Sequence, residues 1–130
     1  MTDYQQQYHD KRTTCEALVQ QFKSGDVVCL GAWYGEAYGV INAMNEHRDS
    51  LDGVFVSSAI ATCPSSYMEN QNIVVSSGFL GPQERAINNA ADNLFYTPIN
   101  YCDGIGAAKY GHRANYQIYR IGPMDDRGYF

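Results

Sequence analysis

Residues 24–40 read SGDVVCLGAWYGEAYGV, and this stretch decides the fold. Gly25 is placed to end a preceding helix, and Val27-Val28-Cys29-Leu30 is an apolar run short enough for a strand buried on both faces. Gly31 and Gly35 then bracket Trp33 and Tyr34, and Glu36 stands where the next helix should open. A buried strand that passes through a glycine-bounded loop into a helix is the first unit of a parallel α/β sheet. Ligands bind such sheets beyond the carboxyl ends of the strands, so this loop is the first place to look for a site.

The same alternation continues on either side. Upstream, residues 4–12 form a polar lead-in, after which Thr13 or Thr14 can cap a helix with Glu16 in its first turn. Cys15, Leu18, Val19 and Phe22 share one face of that helix. Downstream, a second helix is predicted from about Glu36 to His47, with Ala37, Val40, Ile41 and Met44 toward the core. A turn at residues 49–53 leads to a second strand from Val54 and to a loop of small residues at 57–64. Ile73-Val74-Val75 and Gly78-Phe79-Leu80 are short β-type runs. Pro82 opens a helix whose buried side is read as Ala86, Ile87, Ala90 and Ala91. Phe95-Tyr96-Thr97 is strand-like, 103–110 reads as a short helix, 116–121 as a final strand, and 122–128 as a turn. The predicted fold is α/β, a mostly parallel sheet flanked by helices, in a single domain over residues 1–130. A parallel sheet that stops just past a turn, at Tyr129-Phe130, reads as incomplete without a second half.

Charge and composition remove several function classes. Nine Lys and Arg against fourteen Asp and Glu, net −5, leave no basic face for nucleic acid and no polybasic membrane patch. No apolar run approaches the length of a membrane span, and the amino terminus lacks an apolar signal core, so a cytoplasmic location is expected. Cys15, Cys29, Cys63 and Cys102 form no C-x-x-C pair and are expected to be free thiols, with no metal site. Eleven tyrosines suit either a seam to another domain or subunit, or ordinary half-buried positions.

Residue by residue, the chemistry is sparse. Gly31-Ala32-Trp33-Tyr34-Gly35 lacks the G-x-G-x-x-G spacing, and no phosphate loop is present. The loop either brings its backbone close to a ligand or only permits a tight turn. Glu36 is either an acid or base, or a carboxylate favoured by a helix dipole. His9, His47 and His112 have no ligand spacing. Ser57, Ser58, Ser65, Ser66, Ser76 and Ser77 lie in no G-x-S-x-G elbow, and Cys63 has no basic neighbour in sequence. Arg85 suits an anion or a solvated face equally. Spacing alone gives an α/β domain with a strand-end site and no self-contained catalytic apparatus.

Four groups of residues, in order and across nearly the whole chain, carry a resemblance. They are Tyr8-x-x-Lys11 with Thr14-x-Glu16-Ala17; Ser24-Gly25-Asp26 with its strand and the Gly35-Glu36 pair; Phe79-x-Gly81-Pro82-x-x-Arg85 with Asn88, an aromatic strand and Pro98; and Pro123-x-Asp125-x-x-Gly128-Tyr129. The chain is similar to the amino-terminal domain of the acetyl-CoA hydrolase and CoA-transferase family, which includes 4-hydroxybutyrate and butyrate CoA-transferases. Ala37 stands where the family usually has proline.

The resemblance implies transfer of coenzyme A between an acyl-CoA and a small carboxylic acid. A glutamate attacks the thioester, giving an acyl-glutamyl anhydride and then a glutamyl-CoA thioester. That glutamate belongs to the carboxyl-terminal half in the family. Glu36 does not match it, so no catalytic residue is expected in this chain and the chain alone should be inactive. Gly31, Trp33, Tyr34, Gly35, Glu36, Ser58 and Thr62 match strand-end segments that face the cleft. No cofactor is expected to be bound permanently; coenzyme A and acyl-CoA are substrates. The expected partners are acyl-CoA, a small carboxylate, the catalytic carboxyl-terminal half or subunit, and further copies in an oligomer. The alternatives are an acetyl-CoA hydrolase of the same family and a stand-alone α/β ligand-binding or regulatory subunit.

Overall fold

The computed structural model describes residues 3–100, 102 and 113–130. Strand β1 (Val27–Leu30) buries Val27, Val28 and Leu30 and half-buries Cys29, so neither face meets water. It lies between β2 (Phe55–Ser58) and β5 (Tyr116–Ile118), while β3 (Val74–Ser77) and β4 (Leu94–Tyr96) continue the sheet beyond β2. The order is β4-β3-β2-β1-β5, and every pairing is parallel. The register aligns Val28 with Val56, Val56 with Val75 and Val75 with Leu94, giving one row of buried apolar side chains across four strands. That row is what short β-branched runs supply in a sheet covered on both faces.

Helix α2 (Cys15–Val19) begins where Thr14 caps it, its hydroxyl accepting the Ala17 N–H at 3.1 Å. The helix is shorter than its apolar spacing implies, because Gln21 and Phe22 already bond three residues back and Gly25 takes a left-handed turn at φ +88°. Helix α3 (Tyr38–Glu46) buries Val40, Ile41, Ala43 and Met44 and packs on α2, where Cys15 Sγ occupies the space a side chain on Gly39 would need. Glu36 is extended and precedes this helix, which corrects the expectation that it opens it.

Helix α4 (Pro82–Asn88) starts on proline as expected. Its inward face carries Glu84 and Ile87 rather than the alanine-rich side, since Ala86 is exposed and both Ala90, exposed, and Ala91, buried, lie beyond the helix end. The segment read as a polar lead-in is instead α1 (Asp3–Lys11), a helix with no buried residue. Gln7 bonds Asp3 and Gln6 bonds Asp10, each across one turn at 2.8 Å, and the Tyr8 ring meets Phe130 at 5.5 Å. The C-terminal turn forms around Asp125, whose Oδ1 accepts the Arg127 and Tyr129 N–H groups at 2.9 Å. The helix expected at 103–110 and His112 lie outside the described residues.

Candidate functional site

From β1 the chain proceeds outward to β4 and then returns to the opposite side of β1 as β5. The sheet therefore has a topological switch point between β1 and β5, where parallel sheets hold ligands beyond their carboxyl ends. The segments leaving the strands there carry large exposed apolar side chains. Trp33 and Tyr34 follow β1, Phe79 follows β3, Ile99 follows β4, and Tyr119 and Ile121 follow β5.

Gly31 N–H donates to Ile118 O at 2.8 Å, and Arg120 N–H donates to Gly35 O at 2.8 Å, so β5 zips along the β1 loop. A Cβ on Gly31 would fall on the Gly35 carbonyl and crowd the Tyr119 ring, so protein rather than ligand fills the space beside it. Gly35 faces open space. Between them, Trp33 is held at φ +54°, a conformation that disfavours side chains, and its ring stacks on Tyr34 at 6.2 Å and 19°. Trp33 is 53% and Tyr34 72% exposed, so both rings are available to a ligand or a partner.

Glu36 is 1% exposed, and its contacts turn inward. Its Oε2 accepts the N–H groups of Thr62 at 2.8 Å and Cys63 at 3.0 Å, together with the Thr62 hydroxyl. Thr62 is exposed, also meets Tyr38 Oη at 3.1 Å, and so ties the β2 loop to the start of α3. Ser58, the last residue of β2, is buried, with its carbonyl accepting the Gly78 N–H at 3.4 Å. The structure thus brings Gly31, Trp33, Tyr34, Gly35, Glu36 and Thr62 into one cluster of strand-end loops, with Trp33, Tyr34 and Thr62 outward and Glu36 inward. Ser58 sits beneath them at the end of its strand.

A second carboxylate completes this arrangement. Glu84 of α4 is fully buried, and its Oε1 accepts the Ala61 N–H at 2.6 Å, while its Oε2 has no hydrogen-bond partner. Sequence reading missed it, although Glu84 shares a helix face with Ile87. An acidic residue at such a position signals a buried carboxylate with a specific partner. Tyr67 lies fully buried with no well-formed hydrogen bond at its hydroxyl; burial pushes its phenol far above the ordinary value, the Glu36 and Glu84 carboxylates push the same way, and the nearby Ser65 side chain pulls against them. Burial, and then Glu36, raise the Cys63 thiol, which keeps it from the reactive thiolate form.

Arg120 was also missed. Its guanidinium lies 5.1 Å over the Tyr38 ring at the switch point. Arg85 bonds the Leu80 carbonyl at 2.6 Å from an exposed position. Among the described residues, no three His, Cys, Asp or Glu side chains are grouped as a metal site, and no helix is long and apolar enough to cross a membrane.

No protein-family model and no curated protein matches the chain. Solved structures do. The crystal structure of RipA from Yersinia pestis matches with a TM-score of 0.82 at 20% identity, covering 98% of this chain and 32% of RipA. Two structures of RipA variants match with TM-scores of 0.85 and 0.84 at the same identity and coverage. The likeness is one of fold, and the chain spans about a third of the RipA chain.

Proposed function

We propose that this chain is the amino-terminal part of an enzyme that transfers coenzyme A between an acyl-CoA and a small carboxylic acid. The observation that carries the reading is the exposed Trp33–Tyr34 stack at the switch point of an all-parallel sheet. Two further findings support it. The four quoted motif groups run in family order, and the fold matches one-third of a longer chain, RipA. In this reading the strand-end face is one wall of an acyl-CoA cleft. The second half supplies the other wall and the glutamate that forms the anhydride and the glutamyl-CoA thioester.

The chain's own residues have a limited part. Glu36 is spent on Thr62 and Cys63 and acts as a brace. Trp33 and Tyr34 offer flat apolar surface for an acyl or pantetheine chain. The purified chain, given acetyl-CoA and butyrate, should show neither CoA transfer nor thioester hydrolysis. Turnover that disappears in Glu36→Gln would place the chemistry in this chain and overturn the reading.

A further inference from the structure

The loop after β2 is gripped from two sides. Trp33 N–H donates to Ile60 O at 3.3 Å, and Trp33 O accepts the Glu36 N–H at 3.1 Å. The Trp33 backbone is thus held by Ile60 on one side and by Glu36 on the other, and Glu36 is in turn bonded to Thr62, so both residues that flank Ala61 bear on the loop. Ala61 N–H in turn is anchored on Glu84 at 2.6 Å, and the neighbouring Gln83 Nε2 donates to Cys63 O at 2.7 Å. The first turn of α4 therefore grips the loop at Ala61 and Cys63, while the β1 loop hangs on it at Ile60 and Thr62. Ile60 sits at φ +52° and Trp33 at φ +54°, conformations that persist only where the surroundings hold them. Glu84 is itself fully buried at the start of a helix, with its Oε2 in the space a Gly81 side chain would need.

We infer that Glu84 is a positioning residue for the aromatic loop at the switch point. It sets Trp33 through Ala61, although no hydrogen bond joins Glu84 to Trp33. The Glu84 side-chain oxygen accepts a part-buried amide that would otherwise lose its partner, in a loop held in a strained form. A loop fixed in advance presents its rings to a ligand without an ordering cost at binding. The inference rests on this geometry and not on which ligand the face takes.

Trp33 is the only tryptophan, so its fluorescence reads the loop directly. In folded Glu84→Ala, acrylamide should quench Trp33 more strongly and its emission should shift to the red. Glu84→Gln keeps an oxygen acceptor for Ala61 and should return both readings to those of the unsubstituted chain. A role confined to stability would lower the unfolding midpoint with Trp33 unchanged in the folded state, and that result overturns the inference. Should Glu84→Ala fail to fold, Glu84→Asp, shorter by one methylene, is read in the same way. Because no ligand enters the experiment, its failure is separate from failure of the CoA reading.

Discussion

The Glu36 carboxylate and the Thr62 backbone N–H stand 2.8 Å apart, although 26 residues separate them in sequence. With Cys63 N–H and the Thr62 hydroxyl on the same oxygen, this bond joins the loops that leave β1 and β2. Replacing Glu36 with alanine strands two amides, one of them in buried Cys63, and each unsatisfied group costs about 1–3 kcal/mol. Glu36→Ala should therefore lower stability by about 3 kcal/mol, and Glu36→Gln by about half of that because an acceptor oxygen remains. Urea unfolding measures both; equal losses would show that the remaining amide oxygen does not serve as the acceptor, and an unchanged Glu36→Gln would show that the side chain merely fills space.

Tyr67 should behave oppositely. Its hydroxyl is buried beside the Ser65 side chain with no well-formed hydrogen bond, so Tyr67→Phe removes a group whose desolvation costs about 1–3 kcal/mol and gives little in return. The substitution should leave stability unchanged or raise it by about 1 kcal/mol in urea unfolding. A clear loss would show a well-formed hydrogen bond at that hydroxyl.

The same burial sets an alkaline limit. Cys63, Cys29 and Tyr67 are raised above their ordinary values in the folded chain, each chiefly by burial. The folded state then holds protons that the unfolded chain releases, so the stability they contribute is complete below the unfolded values and lost above them. Unfolding free energy should start to fall near pH 9 from the thiols and fall further above about pH 10 from the phenol. Tyr67→Phe should remove the second component. A profile that is flat from pH 8 to 11 would contradict this.

Gly31 should tolerate no side chain. An alanine Cβ there meets the Gly35 carbonyl, which is backbone and cannot turn aside. Overpacking of this kind costs about 1–3 kcal/mol, so Gly31→Ala should lower the thermal midpoint while Gly35→Ala, facing open space, should not. Equal effects would show that the two glycines do not have different roles.

Trp33 should separate binding from folding. Trp33→Gly relieves the left-handed backbone, worth about 1 kcal/mol, and removes a half-exposed ring. Stability should hold or rise, while acyl-CoA binding followed by ligand-observed NMR should weaken. Lost stability with unchanged binding would return the loop to a purely packing role.

Much of this fold was legible in the sequence because its signals are local. Val27–Leu30, the Pro82 helix start and the Thr14 cap each depend on a few neighbouring residues. Helix α1 was not legible, since it buries no residue and so leaves no apolar periodicity to read, and its ring contact is with Phe130 at the far end of the chain. The cluster of strand-end loops was legible where glycines and aromatics share one loop. Its geometry was not legible where it depends on long-range pairing: Glu84 reaches Ala61 across 23 residues, and Arg120 joins the switch point only because β5 returns beside β1. Glu36 was visible as a residue but not in its conformation, because its three bonds to the β2 loop hold it extended ahead of the helix.

The most direct test of the central claim is a titration of the chain with acetyl-CoA while Trp33 fluorescence is followed. If the strand-end face is one wall of an acyl-CoA cleft, emission should change saturably, with a dissociation constant of about 1 mM, equivalent to about −4.1 kcal/mol, as suits half of a site. Emission that stays constant through several times that concentration would contradict the account, because it would leave the exposed Trp33–Tyr34 stack without the ligand proposed for it.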